Sequence, residues 1–153
     1  MKVAVFTLNT DLYLEKEEGK TALAVKDFLQ DEGHNVIAGT LPEDINIVRT
    51  VLTKLTMSKS VDLVLTIGST GLKETDIAPS IIDEICDMEI PGIAESLRYT
   101  VADVDRSIIL ERGKAGICDS IIVVNLADKE KIAVEGLGFV LPEIIKASKI
   151  INE

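Results

Sequence analysis

The segment Val61-Asp62-Leu63-Val64-Leu65-Thr66-Ile67-Gly68-Ser69-Thr70-Gly71 governs the reading of the chain. Its apolar residues Val61, Leu63, Val64, Leu65 and Ile67 run on instead of alternating with polar ones. That pattern marks a strand covered on both faces, as in the parallel sheets of α/β proteins. It is too continuous for a sheet edge and belongs at the centre. Gly68 to Gly71 then breaks the strand. In open α/β sheets ligands bind beyond the carboxyl ends of the strands. Two glycines let the backbone turn tightly and come close to a ligand. The hydroxyls of Thr66, Ser69 and Thr70 add donors, and backbone N–H groups in such a turn form a seat for an anion. The turn also reads as a plain strand-to-helix connection. It is neither a P-loop nor a GxGxxG fingerprint, because the Lys-Ser/Thr pair and the third glycine are missing.

Upstream, Val3 to Leu8 and Asn35 to Gly39 read as short strands, and Asn9 to Glu18 as a polar loop. Gly19 to Gln30 carries Leu23, Ala24, Phe28 and Leu29 at helical spacing, with Gly33 placed to cap it. Pro42 suits a first helical turn, and Ile45, Val48, Val51, Leu52 and Leu55 continue that helix. Downstream, Pro79 starts a helix through Cys86, Pro91-Gly92 punctuates, and Ile93 to Tyr99 reads as a short helix. Ser120 to Leu126 is a β-branched strand, and Leu137 to Ile150 a closing helix with Pro142 near its start. Asp103 to Gly116 carries no clear pattern. The alternation gives an α/β fold: a doubly wound, mostly parallel sheet with helices on both faces, in one domain over residues 1–153.

Composition agrees. Hydrophobic residues make up 46% of the chain and aromatic ones 3%, with no Trp, so the core is aliphatic. The formal net charge of −10 sets nucleic acid and anionic membranes aside as partners. A phosphate ligand would need the few cations gathered around it. No signal peptide or membrane-length apolar run is visible, so a cytoplasmic protein is expected. Cys86 and Cys118 read as buried free thiols, and with His34 they make no zinc pattern.

Around the turn, Asp76 reads either as a cap for the helix after it or as a carboxylate holding a divalent cation on a phosphate. Glu43 and Asp44 form a second acidic spot past the second strand, equally readable as favourable acids at a helix start. Glu95 and Arg98 could be a surface i,i+3 pair, and Arg98 could instead clamp a phosphate. Lys20, Lys73, Arg112 and Lys114 are further candidate cations.

The order Asp62-Leu63-Val64-Leu65-Thr66, Gly68-Ser69-Thr70-Gly71, Asp76, Pro79, then Pro91-Gly92-Ile93-Ala94-Glu95-Ser96-Leu97-Arg98 resembles the molybdopterin-binding family, which includes the molybdopterin adenylyltransferases. Agreement is strongest from Val61 to Arg98 and extends to Gly19, Leu23, Gly33 and Pro42-Glu43-Asp44. The resemblance implies a homotrimer or higher assembly and a pterin phosphate held by Thr66, Gly68, Ser69, Thr70 and Gly71. It implies Mg²⁺-dependent adenylylation of molybdopterin by ATP, with Asp76 and either Glu43 or Asp44 as catalytic acids and Asp76 and Glu43 on the metal. Glu95 and Arg98 match the family's Glu-x-x-Arg segment. The chain departs from the pattern in four places. Ser69 replaces a glycine, Leu8-Asn9-Thr10 stands for a Ser-Asp pair, and Ala78-Pro79 for Thr-Pro. Ala127-Asp128-Lys129 replaces a Leu-Pro-Gly-x-Pro turn. A diverged member serving as carrier or scaffold is therefore the alternative.

Overall fold

The computed structural model describes residues 1–153. One six-stranded sheet, in the order β2-β1-β3-β6-β5-β4, runs through it. Strands β1 (Lys2–Leu8), β2 (Asn35–Leu41), β3 (Leu63–Ile67) and β6 (Ile121–Leu126) are mutually parallel. β5 (Ala115–Cys118) and the two-residue β4 (Met88–Glu89) extend the sheet antiparallel. β3 is flanked by β1 and β6 and every residue of it is buried, so its apolar run is that of a central strand.

Alternate residues of each parallel strand serve two cores. Val3, Val5, Leu63, Leu65, Ile67, Ile122 and Val124 face one side, packing on α2 (Lys20–Asp31), α5 (Pro91–Tyr99) and α6 (Glu130–Ile151). Ala4, Leu8, Val64, Ile121 and Val123 face the other, against α3 (Ile45–Ser58) and α4 (Ala78–Ile85). Burying both faces is what removes the polar alternation from the strands. The chain leaves β1 toward β2 and returns to β3 on the other side. The carboxyl ends of β1 and β3 therefore form the switch point where ligands bind in open sheets.

Three sequence expectations need correction, and one open stretch is filled. Asn9 to Glu18 is not all loop: α1 (Thr10–Glu15) forms because the Asn9 side chain accepts from Leu12 N at 3.0 Å, and Lys16 at φ 57° ends it. Pro42 lies before the helix rather than in its first turn, since Asp44 is the cap of α3. The closing helix begins at Glu130, not Leu137, and Pro142 lies in its interior. The spacing of Ile132, Ala133, Gly136, Leu137, Val140 and Leu141 carries the buried face straight through. The unassigned stretch before Gly116 holds a 3₁₀ segment (Arg106–Leu110), followed by β5. β5 and β6 join through Asp119 and Ser120 at φ 51° and 73°, the two left-handed residues of a tight hairpin turn.

Candidate functional site

The glycine turn lies at the carboxyl end of β3. Gly68 has φ 89°, and its N–H donates to Leu126 O at 2.9 Å. Ser69 follows at φ 60°, in the left-handed region that disfavours a side chain. Its hydroxyl is fully used. Oγ accepts from Ile77 N at 2.8 Å, and its proton is shared between Thr75 O at 3.0 Å and Glu43 Oε2 at 3.2 Å. The loop to α4 folds back on the turn, so that a Cβ on Gly71 would lie 2.8 Å from Asp76 Oδ2. A side chain at Gly71 would have to push the Asp76 carboxylate aside. Asp76 Oδ2 also accepts from Lys73 N at 2.9 Å.

Within the protein, the backbone N–H groups of Ser69, Thr70, Gly71 and Leu72 donate to nothing. Ser69 and Thr70 are buried while Leu72 is exposed, and successive free N–H groups of this kind form a concave anion seat.

A second segment, just before β5, straps the turn from outside. Arg112 N donates to Thr70 O at 2.7 Å, Arg112 Nε to Gly71 O at 2.6 Å, and Arg112 Nη2 to Asp76 O at 3.2 Å. The Thr70 hydroxyl donates to the Glu111 carboxylate. A cavity of about 30 Å³ beside Thr70 is lined by Arg98, Glu111 and Asn125 among apolar walls that include Leu97 and Ile132.

The structure thus brings Gly68, Ser69, Thr70, Gly71, Asp76 and Glu43 together at one rim. Glu43 is held there from the backbone: its N–H donates to Thr10 Oγ1 at 3.0 Å. Asp44 is spent as a cap, accepting from Asn46 N at 2.9 Å and Ile47 N at 3.2 Å. Thr66 is buried and accepts from Asn125 Nδ2 at 2.8 Å. The Glu95–Arg98 surface pair does not form. Arg98 turns inward and donates to Gly113 O at 2.8 Å, while Glu95 stays exposed. Of the other cations, Lys114 is bonded to Asp83 at 2.7 Å, which raises its pKa, and only Arg112 wraps the turn with its side chain. Asp128 approaches Gly68 from the β6 side: a Cβ on that glycine would meet its Cβ at 3.5 Å.

Sequence reasoning missed Thr10, Glu111, Asn125 and Asp128. A visible signal existed for Asn125, a polar residue at the carboxyl end of a β-branched strand. None existed for Glu111, which lies in a stretch without periodicity.

Residues 4–146 match the family described as "Probable molybdopterin binding domain". The chain belongs to that family. The molybdopterin-binding domain is 32% identical over 102 residues to a molybdopterin adenylyltransferase of Helicobacter pylori, a match covering 67% of this chain and 58% of that protein. It is 32% identical over 112 residues to gephyrin of Dictyostelium discoideum, covering 73% of this chain and 16% of the other. The chain thus spans just over half of one of these relatives and a small part of the other. Among solved structures, the molybdopterin biosynthesis enzyme MoaB of Thermus thermophilus superposes with a TM-score of 0.88 at 30% identity, covering 98% of this chain and 95% of that one.

The resemblance brings Mg²⁺ with it, and the donor set can be tested against that ion. No three His, Cys, Asp or Glu side chains gather to hold a metal unaided. Magnesium held partly by substrate phosphates needs only one or two carboxylates. Asp76 and Glu43 flank the turn, each with one carboxylate oxygen that accepts no hydrogen bond. The residues present fit magnesium brought in with a phosphate substrate.

Proposed function

We propose that this molybdopterin-binding domain acts in molybdenum cofactor biosynthesis, transferring the adenylyl group of ATP to the molybdopterin phosphate and releasing pyrophosphate. The observation that carries the reading is the run of partnerless N–H groups from Ser69 to Leu72, with Asp76 and Glu43 beside it. The relative in Helicobacter pylori named for this activity supports it.

Transfer at an α-phosphorus asks chiefly for positioning and charge neutralisation. In this reading the N–H groups of the turn cradle the pterin phosphate, one of whose oxygens attacks the α-phosphorus as pyrophosphate leaves in line. That oxygen already carries negative charge, so no general base is required. Asp76 and Glu43 would hold Mg²⁺, which when bound neutralises charge on the ATP phosphates. Arg112 keeps Gly71 and Asp76 in register through their carbonyls. Arg98, whose one hydrogen bond is to a carbonyl, has donors left to anchor an anionic group from the cavity side.

The test is calorimetric titration with ATP and Mg²⁺, with and without molybdopterin, coupled to a pyrophosphate assay. Binding of both with pyrophosphate release supports adenylyl transfer. Pterin binding without turnover supports a carrier instead, a reading favoured by the Glu111 carboxylate already on Thr70. Asp76→Asn separates a metal ligand from a structural acid. Asparagine can still accept from Lys73 N, so stability should change by less than about 1 kcal/mol while turnover falls at least about a hundredfold. Collapse of stability with turnover retained would make Asp76 a structural residue. A homotrimer or larger assembly is part of the same reading, and light scattering on the purified chain tests it.

A further inference from the structure

We infer that Glu111 sets the charge selectivity of the glycine turn: its carboxylate stands where an anionic substrate group would bond Thr70, and a phosphate seats fully only when that carboxylate is displaced. The inference rests on the proposed anion seat and asks what controls entry to it. Thr70 is 3% exposed and donates its hydroxyl proton to Glu111, so the one side-chain donor among the four seat residues that could reach an anion from the cavity side is already taken. The Ser69 hydroxyl is committed to Thr75 and Glu43. Glu111 forms no ion pair. The nearby guanidinium groups are turned to carbonyls, Arg112 to those of Gly71 and Asp76 and Arg98 to that of Gly113. An acid without a counter-ion thus lies against a seat built to take negative charge.

A purely structural role is the competing explanation, and the geometry argues against it. The strap is already stitched to the turn by the Arg112 backbone and guanidinium bonds at 2.7 and 2.6 Å, which use no atom of Glu111. What its carboxylate adds is charge. A like charge a few ångströms from an incoming phosphate opposes binding, and its removal should be felt most by the most highly charged ligand.

The experiment is titration of inorganic pyrophosphate and of ATP, each with Mg²⁺, into the wild-type protein, Glu111→Gln and Glu111→Ala. Glutamine keeps an oxygen acceptor for Thr70 and removes the charge, so folding is preserved even if alanine weakens the strap. Both ligands should bind Glu111→Gln about tenfold more tightly than wild type because the charge is gone; Glu111→Ala, which also frees the Thr70 hydroxyl, should bind more tightly still, and adding Thr70→Val should cancel only that extra gain. If wild type binds and Glu111→Gln binds equally or less well, Glu111 is structural or helps the ligand, and the inference is overturned while the anion seat stands. An extra gain in Glu111→Ala that survives Thr70→Val overturns the route through that hydroxyl. If neither protein binds either ligand, the inference and the anion seat fall together.

Discussion

Placing a side chain at φ 60° costs about 1 kcal/mol, and Ser69 sits there. Its Oγ offsets that cost by accepting from Ile77 N and reaching Thr75 and Glu43. Ser69→Gly should relieve the strain but strip those bonds, lowering stability by about 1 kcal/mol in urea denaturation. Ser69→Ala keeps the strain and loses the bonds, so it should be the less stable of the two; the reverse order would show that the bonds contribute little. Thr7 is the opposite case. Its Oγ1 is buried without a partner, where a Cβ on Gly19 would lie 2.8 Å from it. Thr7→Val should therefore raise stability by about 1 kcal/mol, read as a higher melting temperature. The residues of the turn were legible in the sequence because they lie side by side, with glycines where the backbone bends back. Glu111 and Thr10 were not, and for Asn125 only its polarity in a β-branched strand hinted at a role, not at its partner. Glu111, Asn125 and Thr10 meet their partners across 41, 59 and 33 residues, and nothing local marks such a meeting.

At the scale of elements, the parallel strands and the starts of α4 and α5 could be read from apolar runs and prolines. Each proline sits in the first turn, where its missing N–H has no partner to lose. What escaped was structure made without the usual residues. The hairpin between β5 and β6 uses Asp119 and Ser120 at positive φ where glycine would have announced a turn. The amino-terminal third of α6 was hidden because Pro142 was read as lying near the helix start, although the buried face continues on both sides of it. Pro142 removes the donor that the Gly138 carbonyl would otherwise receive. Pro142→Ala, at an exposed position, should restore it and stabilise the chain by about 2 kcal/mol in thermal unfolding. No gain would mean that the helix has already bent to satisfy that carbonyl elsewhere.

Over the whole molecule, the strap that carries Glu111 is anchored to α6 as well as to the turn. Val101 and Ile108 pack with Ile132 of α6, and Lys129 at the start of α6 bonds Asp105 at 2.9 Å and Ser107 at 2.6 Å. Hydrogen bonds from the Ser107 hydroxyl, then from Lys129, hold the Asp105 pKa down at about 2. A depressed carboxylate contributes stability that is present above its ordinary value of 3.8 and lost as pH falls through about 2. Asp105→Asn should flatten the fall in melting temperature over that window, and an unchanged profile would show that solvent screens the contact. The same staple links α6 to the rim of the sheet, so weakening it should loosen the segment that covers Thr70. The amides from Ser69 to Leu72 have a consequence of another kind. With no hydrogen bond to break, they should trade their protons for deuterium quickly in the free protein, while their neighbours in β3 stay protected. An anion that occupies the turn must slow those four together, so the unaltered chain carries its own isotopic gauge of occupancy.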